Sequence, residues 1–119
     1  MRLGRVYAVQ VYFCTKLGCP AAATRSQERL VGKRLSREPC VRQLIFVSKG
    51  EALAMIKKED PTLYQAMPPG VGNPLPDSFE VMLEKPSCAP AIAASARAAH
   101  WHGVQKVDLK RRPPTRVGS

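Results

Sequence analysis

At 119 residues the chain has room for one modest hydrophobic core and a small appendage, but not for a second independent domain. Nineteen Lys and Arg against nine Asp and Glu give a formal charge of +10, which favours an anionic partner without choosing among nucleic acid, phospholipid, acidic wall polymer and acidic protein. No stretch approaches the roughly 18–20 apolar residues of a membrane helix, and the first residues lack the apolar core of a secretory signal, so the chain as read neither spans a membrane nor exports itself.

Val6 to Phe13 alternates, with Tyr7, Val9, Val11 and Phe13 on one side and Ala8, Gln10 and Tyr12 on the other, and this period predicts a half-buried strand. Pro20 at a first-turn position predicts a helix through about Ser36. Its apolar stripe is Ala23, Leu30, Val31 and Leu35, and its solvated face is Arg25, Arg29, Lys33, Arg34 and Arg37. Glu38-Pro39 ends it, and the β-branched and aromatic run Val41 to Val47 predicts a second strand.

Ser48 and Glu51 then fit an S-x-x-E capping box, which starts a helix from Gly50 to about Glu59. Asp60-Pro61 breaks it, a short helix follows to about Met67, and Pro68-Pro69-Gly70 closes the segment. The prolines of Asn73-Pro74-Leu75-Pro76 fix their own φ and force Asn73 and Leu75 out of the helical region. A third strand must therefore begin near Ser78 and run to about Glu84, with Phe79, Val81 and Leu83 on one face, until Pro86 stops it. An alanine-rich helix over about Ala89 to His100, Gly103 as its left-handed terminator, and a fourth strand from Val104 to Leu109 complete the reading. Val107 and Leu109 are expected to turn inward, and residues 111–119 read as a disordered basic tail.

The order β-α-β, helical insert, β-α-β predicts an α+β fold, a ferredoxin-like split β-α-β sheet with both helices on one face. Residues about 6–48 and 74–110 would form a mixed upper lobe and residues about 49–73 a small helical lower lobe.

Three runs carry a family resemblance: Val-Tyr-Phe-Cys-Thr-Lys-Leu-Gly-Cys-Pro at 11 to 20, Phe-Val-Ser-Lys at 46 to 49, and Asn-Pro-Leu-Pro-Asp-Ser-Phe-Glu-Val at 73 to 81. In that order, and over about Val9 to Leu109, the chain resembles the extracellular domain of the bacterial cell-division protein FtsX, the membrane half of an ABC-transporter-like complex. The resemblance implies a location on the extracellular face of the membrane, an apolar cleft where the lobes meet, and a non-catalytic role. The domain would recruit and activate a peptidoglycan hydrolase, directly or through a coiled-coil activator. A cytoplasmic ATPase would act on it only through membrane helices, one before the domain and three after, that this sequence does not contain. Against the family the chain is thus either a fragment or a stand-alone form.

The residues themselves offer little for catalysis. The sequence has two histidines, His100 and His102, and they flank Trp101 at a helix end; no phosphate loop, Gly-x-Ser-x-Gly or His/carboxylate metal motif accompanies them. They read as a helix terminus, with Trp101 packed over the sheet edge. Neither a cofactor nor a metal is expected. Cys14 and Cys19 enclose four residues, a spacing that permits a disulfide if the turn folds back, while Cys40 and Cys88 read as small core residues.

The insert is the better candidate for function, because Leu53, Met55, Ile56, Leu63, Tyr64 and Met67 exceed what so small a helical pair can bury. Leu53 and Ile56 suit closure against the sheet as well as exposure. Met55, Leu63, Tyr64 and Met67 are expected to form a partner-docking patch, with Phe46 added at the junction. A competing reading is a small basic RNA-binding module on the same ferredoxin-like sheet. Leu44-Ile45-Phe46-Val47 echoes only the shorter RNP motif and the longer one is missing, so nucleic acid is not the expected partner.

Overall fold

A computed structural model describes residues 6–67, 72–98 and 102–111. The first strand, β1 (Val6–Phe13), lies inside a four-stranded sheet with β2 (Val41–Val47), β3 (Ser78–Leu83) and β4 (Val104–Arg111) in the order β2-β3-β1-β4. Each neighbouring pair is antiparallel, the topology of a split β-α-β sheet. Helices α1 (Arg25–Ser36) and α4 (Ala89–Ala98) follow β1 and β3, and α2 (Lys49–Glu59) and α3 (Pro61–Ala66) form the insert between β2 and β3.

One face of the sheet is dry. Val9, Val11 and Phe13 of β1, Val81 of β3 and Val107 of β4 meet Val31 and Leu35 of α1 and Ile92 and Ala93 of α4 in a single buried cluster. Each large aliphatic side chain there contributes about 1.5–3 kcal/mol of transfer free energy. Phe79 packs edge-on against Phe13, centroids 5.6 Å apart, and α1 can approach this ring only because Gly32 sits above it: an added Cβ would lie 2.9 Å from the Phe79 ring.

Several local expectations shift. Helix α1 starts at Arg25 rather than Pro20, because Thr24 forms its capping box: the Thr24 hydroxyl accepts from the Gln27 N–H at 3.1 Å and Gln27 Oε1 accepts from the Thr24 N–H at 3.0 Å. Residues 14–23 instead make a turn in which the Gly18 and Cys19 amides donate to the Thr15 carbonyl and the Ala23 amide donates to that of Cys14. Leu30 is exposed, one step around the helix from buried Val31.

A register shift between Val6 and Ala8 flips Tyr7 off the Val9 face, so it shares a cavity wall with Gln10 and Tyr12. Strand β4 runs on to Arg111, two residues past the expected end, and Leu109 on this edge strand stays exposed while Val107 is buried. Cys40 and Cys88 are not merely core residues. The structure joins them to each other, as it joins Cys14 to Cys19. Gly103 has the expected positive φ, +87°, and His102 beside it is exposed; His100, Trp101, Pro68-Pro69-Gly70 and residues 112–119 lie outside the described residues.

Candidate partner-docking site

The insert is built by polar caps rather than by a core. Ser48 and Glu51 form the expected capping box of α2, with the Ser48 hydroxyl accepting from the Glu51 N–H at 3.1 Å. Asp60 ends α2 and begins α3, its carboxylate accepting from the Leu63 N–H at 3.1 Å, which turns the chain into the second helix. Neither helix contains a buried residue.

The expected docking residues divide accordingly. Met55 on α2 is 51% exposed and Leu63 on α3 is 49% exposed. Tyr64 and Met67 are half-buried, and the Lys57 ammonium lies 5.6 Å from the centre of the Tyr64 ring. Phe46 is also exposed, at 42%, but its location differs from the expected junction. It is paired with Phe79, which faces Val11, so it sits on the helix-covered side of the sheet with its ring edge-on to Phe79 at 5.3 Å. Strand parity separates Phe46 from the insert patch.

Met55 opens instead onto the other face of the sheet. A groove of about 390 Å³ runs between α2, contributing Ala52, Met55 and Ile56, and the even-numbered side of β1, contributing Gln10 and Tyr12, with Leu75 and Pro76 along its edge. Sequence reasoning placed Gln10 and Tyr12 together on this side of β1 but gave them no part in a site. Gln10 is buried and satisfied, donating from Nε2 to Ser78 Oγ at 2.8 Å. Tyr12 lies beneath the ammonium groups of Lys106 and Lys110, 6.0 and 5.9 Å from its ring centre. Burial pulls the pKa of Lys110 down, but its hydrogen bond to Tyr12 and the fields of Tyr12, Tyr7 and Asp108 outweigh this and leave it above the ordinary value.

The insert is pinned to the sheet where it leaves and returns. The Lys49 N–H donates to Asp77 Oδ1 at 2.7 Å, the Asn73 side-chain amide donates to the Lys49 carbonyl at 2.7 Å, and the Phe13 N–H donates to the Asp77 carbonyl at 3.0 Å. Glu28 of α1 reaches the same junction across a second cavity of about 390 Å³. Burial, a hydrogen bond with Asp77 and the charge of Asp77 push its carboxyl up to about 7, against the pull of Lys49 and Arg25. Among the described residues no three His, Cys, Asp or Glu side chains gather as a metal site requires, and no helix is long and apolar enough to cross a membrane.

The sequence profile of the FtsX extracellular domain matches residues 7–116, nearly the whole chain. The chain belongs to the FtsX extracellular domain family. It is therefore an interaction domain of a bacterial cell-division membrane protein, displayed on the extracellular side, and the RNA-binding reading is disfavoured. No curated protein matches the sequence. Two solved structures share the fold. A solution structure of the large extracellular loop of FtsX in Streptococcus pneumoniae superposes with a TM-score of 0.65 at 21% identity, over 87% of this chain and 99% of that one. A crystal structure of extracellular domain 1 of FtsX from the same organism, in complex with undecyl-maltoside, gives 0.62 at 21% identity over 86% and 92%.

Proposed function

We propose that this FtsX domain recruits and activates a peptidoglycan hydrolase, directly or through a coiled-coil activator, by offering the apolar side chains of its insert to an amphipathic helix of that partner. The observation that carries the reading is the exposure of Met55 and Leu63, about half of each, on two helices without a fully buried residue. Exposed apolar side chains grouped on one small element are the usual mark of a helix-binding surface, and the contact between α2 and α3 keeps Tyr64 and Met67 within reach of the same partner. The undecyl-maltoside bound by the S. pneumoniae domain is an amphiphile, which is consistent with an apolar surface on this fold.

The domain does no chemistry in this reading. Movement of the membrane helices, driven by a cytoplasmic ATPase, would reorient it, and the caps and junction bonds would transmit that motion to the insert as a unit. Phe46, on the far face, takes no part in the same contact.

The test is binding of the hydrolase coiled coil to Met55→Ala/Leu63→Ala and to Tyr64→Ala/Met67→Ala. Loss of about 1–2 kcal/mol per removed anchor side chain is expected, with thermal unfolding nearly unchanged. A fall in unfolding temperature alongside the loss would put these side chains in the core and defeat the reading.

A further inference from the structure

The charge of this domain is not spread evenly. Residues 48–67, which contain the insert, carry Lys49, Lys57 and Lys58 against Glu51, Glu59 and Asp60, and so are neutral as a unit. The opposite end of the sheet differs. Register pairs Val6 with Arg111 and Val41 with Leu83, so the start of β1, the start of β2, the end of β3 and the end of β4 all meet there. Helix α1 runs back from the far end and delivers its last turn to the same place, with four residues between Ser36 and Val41.

Exposed Lys33 and Arg37 come from α1 and its C-cap, Arg42 from β2, Lys85 from the turn after β3, and Arg111 from the end of β4. The acidic side chains nearest in sequence to these are Glu38, half-buried, Glu84, and, for Arg111, Asp108, which pairs with Lys106 at 3.2 Å. In the sequence, Arg2 and Arg5 precede this end and Arg112 and Arg116 follow it. With β2 at one edge and β4 at the other, the cations span the width of the sheet, about 14 Å at the usual strand spacing.

We propose that this end of the domain rests on an anionic phospholipid surface, with Lys33, Arg37, Arg42 and Lys85 against headgroup phosphates. Charges drawn from separate elements across a sheet end match a plane of phosphates better than a single anionic group. An extracellular domain of a membrane protein has such a plane beside it.

The experiment is flotation of the 119-residue chain with phosphatidylglycerol/phosphatidylcholine vesicles and with phosphatidylcholine alone. Binding to the anionic vesicles only, falling as salt rises, is expected. Arg37→Glu/Arg42→Glu/Lys85→Glu should weaken it at least about tenfold. Lys16→Glu/Arg25→Glu/Lys106→Glu makes the same change in net charge at the far end, after β1, at the start of α1 and opposite Tyr12, and should weaken it much less. If the glutamate triple variant loses its circular-dichroism signature, Arg37→Gln/Arg42→Gln/Lys85→Gln replaces it, with the same ranking expected. Equal losses in the two sets would mean net charge alone acts and would overturn the proposal. Absence of vesicle binding would overturn it too, as would capture of soluble polyglutamate in its place, which would assign the surface to an acidic protein segment.

Discussion

Asp77 is the side chain on which three parts of the molecule converge. Its carbonyl takes the Phe13 amide, its carboxylate takes the first amide of α2, and Glu28 of α1 shares a hydrogen bond with it. Burial of Glu28 disfavours its charged form, and the hydrogen bond and charge of Asp77 beside it add to that preference for keeping the proton. The folded pKa of Glu28, about 7, lies above its ordinary 4.5, so between those values the native state binds more protons than the unfolded chain. Stability from this group is therefore highest below about 4.5 and declines as pH rises through about 7. The Glu28→Gln variant should resemble the parent at pH 5 and unfold at a higher urea concentration than the parent at pH 8. Parallel pH profiles of the urea midpoint for the two proteins would contradict this.

The insert owes its shape to caps, and its apolar side chains stay available because caps need no core. This makes its order sensitive to single polar groups. Ser48→Ala removes the hydroxyl that caps α2 and should cost about 1 kcal/mol of stability. Its effect should also be local: amide exchange in residues 49–59 should quicken while β1 and α4 keep their protection. The short element α3 depends in the same way on Asp60, which also ends α2. The sequence announced the Ser48 box plainly, because a capping box is a local chemical pattern, whereas Asp60-Pro61 reads there only as a break between helices. The start of α1 was missed for a related reason: Thr24-x-x-Gln27 is an equally local box, but Pro20 offered a competing start signal upstream, and the turn that rules it out is held by bonds among residues 14–23.

For the whole molecule, the cross-links matter most in relation to its size. Cys40 and Cys88 are 48 residues apart in sequence, and in the chain-entropy description a loop of that length is worth about 4 kcal/mol, against about 2 kcal/mol for the five-residue separation of Cys14 and Cys19. A single domain commonly has only about 5–15 kcal/mol in total. Reductant should therefore lower the urea midpoint sharply, and Cys14→Ser/Cys19→Ser should reproduce only the smaller part of that fall; equal falls would place the larger effect elsewhere. Sequence alone settled the number and order of strands and helices, the dry face of the sheet and the family, because period-two and helical patterns, caps and proline punctuation act within a few residues. Tertiary structure decided the rest. Tyr7 changed sides through a bulge that only pairing with β4 creates, Phe46 was separated from Met55 by the parity of its pairing with Phe79, and Gln10 and Tyr12 became groove walls because the insert folds over their side of the sheet. Those outcomes depend on contacts between residues tens of positions apart, which no local pattern encodes.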